Sequence, residues 1–177
     1  RLFPMMIEAA KQLKAWRSDL TFEVPAASRK LAGQIHGLLE SAGASGLVQV
    51  NTGESHALMQ RACCAVIASG TATLEAAYYG LPYCLVYRVA PLTYAAAKVL
   101  VKIKLIGIVN ILAGEVVKEL VQGAAEPAAV ADHLRGFLEF PGKRDALRAR
   151  LAETCAKLGG PGAHDKAAGA VAKWLMV

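Results

Sequence analysis

The sequence predicts an α/β domain: a Rossmann-like parallel sheet with helices on both faces and a helical tail at the carboxyl end. Apolar runs of strand length alternate with helical periodicities at least four times before the tail begins. The tail itself reads as helix after helix. Within the alternating part, Ala65-Val66-Ile67-Ala68-Ser69-Gly70-Thr71-Ala72-Thr73-Leu74-Glu75 holds a buried strand, a small-residue turn and a helix start in one short stretch.

Taken in order, the pattern opens with an amphipathic helix over 3–17, where Ile7, Ala10, Leu13 and Lys14 recur at helical intervals and Pro4 suits the first turn. Leu20 to Val24 reads as a strand, which Pro25 is predicted to end. A second helix covers 28–42, with Leu31, Ile35, Leu38 and Leu39 on one side. Gly43 and Gly46 bracket the turn into a strand at 47–50. Ser55 is placed to cap a short helix at 56–62, which leads into the strand 64–68. A helix at 71–79 is closed by Gly80-Leu81-Pro82, and 83–87 is the next strand. Pro91 starts a helix at 91–101. The stretch 105–113 reads as apolar and irregular between Gly107 and Gly114. Helices follow near 116–122, 127–139, 143–158 and 164–176, with Gly159-Gly160-Pro161-Gly162 the strongest breaker in the chain. No repeat or flexible linker interrupts this pattern, so 1–177 is read as one domain with a terminal helix over about 159–177.

Composition narrows the function classes. With 177 residues, 55% hydrophobic and 19% charged, the chain can bury a core. The net charge of +6 suits nucleic acid, phosphorylated ligands or an anionic membrane face and selects none of them. Arg88, Lys98, Lys102 and Lys104 interrupt the most apolar region, which argues against a membrane-spanning helix. Cys63, Cys64, Cys84 and Cys155 include no C-x-x-C pair and stand far in sequence from the histidines. No metal site or disulfide framework is predicted, and small core thiols in a reducing cytoplasm fit. Neither G-x-G-x-x-G after a strand nor G-x-x-x-x-G-K-[ST] occurs, so dinucleotide oxidoreductase and P-loop ATPase readings lack support. His56, beside Glu54 and Ser55, is only an adjacency, and no catalytic base declares itself.

Ligands of parallel α/β sheets bind at the carboxyl ends of the strands. Here those ends are the Pro25 loop, 51–55, Ser69-Gly70, the Arg88 loop and 107–114. The turn after the central strand joins a helix start, whose unpaired N–H groups and dipole attract an anion. Gly70 permits close backbone approach, and Ser69, Thr71 and Thr73 offer hydroxyls to a phosphate or to the helix's own cap. Glu75 would repel a phosphate, yet it can accept hydrogen bonds from the paired hydroxyls of a sugar; a solvated carboxylate is the plainer reading. Arg88 suits a phosphate or carboxylate, or is a surface arginine at a loop mouth. Asn110, in an apolar stretch, needs partners from backbone groups in the turn or from a ligand. The basic, apolar-interleaved stretch with Lys98, Lys102 and Lys104 fits an anionic lipid surface or a solvated helix face.

The strings Ala68-Ser69-Gly70-Thr71-Ala72-Thr73-Leu74-Glu75, Tyr87-Arg88-Val89-Ala90-Pro91-Leu92-Thr93-Tyr94, Leu100-Val101-Lys102 and Asn110-Ile111-Leu112-Ala113-Gly114, in this order and spacing, resemble the lipid-A-disaccharide synthase family. Gly53, Ser55 and Met59, and Val117-Lys118-Glu119-Leu120-Val121-Gln122, extend the resemblance nearly end to end. It implies a two-domain, twin-Rossmann (GT-B) inverting glycosyltransferase without metal or organic cofactor. The implied reaction moves 2,3-diacylglucosamine from UDP-diacylglucosamine to diacylglucosamine 1-phosphate, giving the β-1,6-linked disaccharide 1-phosphate and UDP. The implied place is the cytoplasmic face of a Gram-negative-type inner membrane, as a peripheral protein with no nucleic-acid partner; a homodimer is left open. By resemblance this chain is the carboxyl-terminal, UDP-binding half. Ser69, Gly70 and Thr71 would surround the diphosphate, Glu75 would hold the ribose, Asn110 would line the nucleotide pocket, and Arg88 is a weaker carry-over.

Three departures from the family pattern qualify this. The amino-terminal domain, which carries the expected catalytic base, is expected to be missing, so no catalytic residue is assigned in this chain. A strand and Pro-Gly-Ser-Arg phosphate loop would precede the first helix, leaving the sheet here without a central strand. Val109 precedes Asn110 where the family reads Leu-Pro, and Glu115 follows Gly114 in a segment one residue short, so the arginine that the family places after the Ala-Gly pair is missing. The chain alone is therefore expected to be inactive. Another UDP-sugar enzyme of the same fold, or a diverged non-catalytic binding module, are the alternatives.

Overall fold

The computed structural model describes residues 2–90, 94, 105–159 and 162–175. In chain order its elements are α1 (Phe3–Trp16), β1 (Phe22–Ala26), α2 (Arg29–Ser41), β2 (Val48–Thr52), α3 (Ser55–Arg61), β3 (Ala65–Ala68), α4 (Ala72–Tyr78), β4 (Tyr83–Tyr87), α5 (Ile108–Ala113), β5 (Glu119–Val121), a 3-10 turn (Gln122–Ala124), α6 (Pro127–Glu139), α7 (Pro141–Ala156) and α8 (Ala163–Leu175). The fold is α/β, as predicted. Its strands pair in parallel, in two sheets: β1–β2, and β3–β4–β5 with β4 in the middle. Ala65 to Ala68 run beside Tyr83 to Val86, and Leu85 to Tyr87 beside Glu119 to Val121.

Burial follows from these positions. A central parallel strand is covered on both faces and reads as a continuous apolar run; Tyr83, Cys84, Leu85 and Val86 are each 0% exposed. Helix α1 carries two apolar faces. Met5, Ala9 and Leu13, four residues apart, join the main core with β4, whereas Ile7 packs with Leu39 and Ala44 in a smaller cluster under α2 and β2. Helix α6 packs along α1 and reaches β3 and β4, with Val130, Ala131, Leu134 and Phe137 buried; α4, α5 and α7 form the other helical group. Ser28 caps α2 by accepting the Leu31 N–H at 3.3 Å.

Four local expectations give way. Ser55 is the first residue of α3 rather than its cap, and Glu54 takes the cap position without a side-chain bond. Pro25 lies inside β1 rather than ending it. The Gly53 N–H donates to the Ala26 carbonyl at 3.1 Å, so Ala26 and Val24 present their backbone groups to β2 while Pro25, with no N–H, faces the strand's other edge, which has no partner among the described residues. The stretch 105–113 is partly helical, as α5, ended by Gly114 at φ 80°. The helix predicted over 116–122 is instead β5 and the 3-10 turn. Val116, Val117, Leu120 and Val121 mimic a helical repeat, but the Lys118 carbonyl accepts the Leu85 N–H at 2.9 Å and draws the segment onto β4.

The tail helices stand where the sequence places them, separated by Gly159 and Gly162 at φ 84° and 98°. Helix α8 leaves Trp174 84% exposed. No described helix is long and apolar enough to cross a membrane. The predicted helix 91–101, Tyr94 apart, and the basic stretch with Lys98, Lys102 and Lys104 lie outside the described residues.

Candidate functional site

The carboxyl ends of β3, β4 and β5 meet at one edge because their registers align. Ala68 stands opposite Val86, and Tyr87 opposite Val121, so Ser69, Arg88 and Gln122 follow one another across the sheet. The turn after β3 is tied to β4 by the Ser69 N–H, which donates to the Val86 carbonyl at 3.1 Å. Gly70 has φ 157°, and a Cβ there would meet no atom within 4 Å; the glycine leaves the space above the turn open. Thr71 heads α4 without a side-chain cap bond. Its hydroxyl and that of Ser69 have no partner among the described residues, and the N–H groups of Gly70 and Thr71 donate to no backbone carbonyl there. Thr73 serves the fold instead: it is 0% exposed, and its hydroxyl donates to the Gly70 carbonyl at 2.7 Å. The Tyr83 hydroxyl donates to the Thr73 carbonyl at 3.0 Å and fixes α4 over β4.

Glu75 lies one turn into α4, half-exposed, with His56 beside it. His56 Nε2 is 3.4 Å from Glu75 Oε2, a charged pair when the imidazole is protonated, and the His56 ring lies 5.6 Å from that of Tyr79. Sequence reasoning found His56 only as a neighbour of Glu54 and Ser55. Its approach to Glu75 depends on how α3 is held. Arg61, at the end of α3, binds the Glu23 carboxylate of β1 through Nη2 at 2.6 Å and Nε at 3.3 Å, and Asn51 donates to the same carboxylate at 2.6 Å. The Arg61 guanidinium holds the Glu23 carboxyl below the usual carboxylate range.

Arg88 stands at the same edge but is partly engaged. Its Nη2 donates to the Ala125 carbonyl at 2.9 Å and approaches Glu126 Oε1 at 3.3 Å, clamping β4 to the start of α6. Next to it, Gln122 was not foreseen. It has φ 53°, a left-handed conformation rare outside glycine, and its Nε2 is buried with no hydrogen-bond partner among the described residues. No local signal marks it, since the strain arises where β5 turns into α6.

Asn110 is elsewhere. It is 1% exposed, and its amide is saturated. Nδ2 donates to the Val117 carbonyl at 2.9 Å and to Glu119 Oε1 at 2.7 Å, while Oδ1 accepts the Val116 and Val117 N–H groups, each at 2.9 Å. All four hydrogen-bonding positions of the side chain are filled from within the chain. Its partners precede or begin β5, at the amino end of that strand. The structure thus brings Ser69, Gly70, Thr71, Glu75 and Arg88 to neighbouring strand ends and sets Asn110 apart, as an internal strut of the 107–119 segment.

The family model described as lipid-A-disaccharide synthetase matches residues 1–164. This chain belongs to the lipid-A-disaccharide synthetase family. The lipid-A-disaccharide synthase of Geobacter sulfurreducens is 38% identical over 176 residues, covering 99% of this chain and 45% of that protein. The Trichlorobacter lovleyi synthase is 40% identical over 173 residues, or 97% and 44%, and the Azotobacter vinelandii synthase 41% over 146 residues, or 81% and 38%. The chain spans less than half the length of these curated relatives. The span matched to the synthetase family contains every residue of the strand-end site and Asn110, whereas most of α8 lies beyond it.

Proposed function

We propose that this chain is the carboxyl-terminal, UDP-binding half of a glycosyltransferase that moves 2,3-diacylglucosamine from UDP to diacylglucosamine 1-phosphate. Family membership supports the reaction class. The single structural observation that carries the nucleotide assignment is the open turn Ser69-Gly70-Thr71, where the Ser69 and Thr71 hydroxyls and the Gly70 and Thr71 N–H groups have no partner among the described residues, one turn from the Glu75 carboxylate. The diphosphate would sit on the turn and the ribose hydroxyls on Glu75. As the glycosidic bond to UDP breaks, negative charge grows on the leaving diphosphate. Donors already aimed at that position stabilise the charge without having to reorganise. Arg88 adds a cation at the rim, and Asn110 contributes by holding the neighbouring segment. The base that deprotonates the acceptor hydroxyl belongs, in this reading, to the other half of the enzyme. A parallel strand ahead of α1 would pair with the edges of β1 and β3, both without partners among the described residues. The protein would work at the cytoplasmic face of the inner membrane, touching it peripherally.

Calorimetric titration with UDP, using UMP and NADH as controls, tests the assignment. Selective UDP binding that is lost in Glu75→Ala is the expected result. A folded protein with no preference for UDP would overturn it and leave a diverged binding module.

A further inference from the structure

The link between α3 and β3 carries two adjacent thiols, Cys63 exposed and Cys64 half-buried, whose Sγ atoms are 4.0 Å apart. That is hydrogen-bonding range for sulfur; Cys64 also packs against the main core, and neither thiol belongs to the proposed nucleotide site, which lies at the other end of β3. The hydrogen bond between the two thiols, helped by the charge of Arg144 in the first turn of α7, holds the Cys63 thiol down at about 6. Cys64 is pushed up, first by that same bond and then by burial. Arg144 Nε is buried with no hydrogen-bond partner among the described residues. Burial shifts the other two thiols the opposite way, raising Cys84 to about 12 and also raising Cys155.

We infer that Cys63 and Cys64 form a hydroperoxide-reactive modification site, with Cys63 the nucleophile and Cys64 the resolving thiol. The Cys63 thiolate attacks the terminal oxygen of a hydroperoxide; the S–O bond forms, the O–O bond breaks, and the alkoxide or hydroxide leaves and takes a proton. Cys63 is then a sulfenic acid. The bond that kept Cys64 protonated is lost with the thiolate, so the Cys64 sulfur attacks that of Cys63. An S–S bond forms, the S–O bond breaks, and water leaves with the Cys64 proton. Two thiols have given two electrons to one hydroperoxide, yielding a disulfide, an alcohol or water, and water. Neighbouring Cα atoms are about 3.8 Å apart, shorter than the usual separation across a disulfide. The product is therefore strained and easily reduced, which makes the modification reversible.

The test is exposure of the folded protein to stoichiometric hydrogen peroxide at neutral pH, followed by alkylation and peptide mass spectrometry. The peptide holding Cys63 and Cys64 is expected to lose two hydrogen atoms, to regain them in dithiothreitol, and to react roughly ten-fold faster than Cys155. In Cys64→Ser a sulfenic acid should accumulate at Cys63 and be trapped by a dimedone probe; in Cys63→Ser, Cys64 should stay unmodified on the same timescale. Equal rates at Cys63 and Cys155, or passage of Cys63 to a sulfinic acid in the wild-type protein with no disulfide formed, would overturn the inference.

Discussion

Asn110 donates from Nδ2 to Glu119 Oε1 at 2.7 Å, and the two side chains together organise the entry to β5. Glu119 accepts the N–H groups of Ile106 and Gly107, both at 2.9 Å, while Asn110 grips the backbone of Val116 and Val117. Two polar side chains thus supply the hydrogen bonds that a regular element would give this buried segment.

Replacing Asn110 with alanine leaves the Val116 and Val117 N–H groups without their acceptor in the interior. A loss of about 3 kcal/mol in folding stability is expected, measured by urea unfolding. A change of less than about 0.5 kcal/mol, the size of an ordinary surface substitution, would remove the strut role.

Gly107→Ala is expected to destabilise for a different reason. The added Cβ would stand 2.7 Å from Leu85 Cδ1 and 3.2 Å from Glu119 Oε1, overpacking the core beside β4. The cost should be about 1–3 kcal/mol. Relief in the double variant Gly107→Ala, Leu85→Val, beyond the sum of the single effects, would locate the clash.

Tyr83→Phe removes the hydroxyl that donates to the Thr73 carbonyl under the candidate phosphate turn. Stability should fall by about 1 kcal/mol. Because the bond holds the start of α4, UDP affinity should fall as well; an unchanged affinity with reduced stability would confine the bond to folding.

His133 should impose a pH dependence. Its Nε2 is buried without a hydrogen-bond partner among the described residues, and burial, reinforced by Lys118 and Lys143, holds the imidazole below its ordinary value. The unfolded chain takes up a proton near pH ~6.5, while the folded protein resists. Stability is therefore full above that pH and declines as pH falls through it toward the folded value. Urea midpoints compared at neutral and mildly acidic pH should show a decline that is smaller in His133→Gln. An equal decline in both proteins would assign the pH dependence to other groups.

The sequence by itself determined the strand–turn–helix at 65–75, the run of tail helices, the α/β class and the family, because each is written in near neighbours: a strand-length apolar run, a glycine, a helical period. It also drew Ser69, Gly70, Thr71, Glu75 and Arg88 to one region, since parallel strands deliver their following residues to a common edge. Only the tertiary structure decided the rest. Val116 to Val121 has a helical spacing, and the backbone of β4 makes it a strand. Pro25 is tolerated because its nitrogen faces the side of β1 away from β2. Asn110 reads equally well as a ligand or a strut, and the carboxylate nine residues away fills its last valence. His56 meets Glu75 across elements, with α3 tied to β1 by the Arg61–Glu23 pair. Each of these outcomes rests on a contact between residues distant along the chain, whose energy no local window contains.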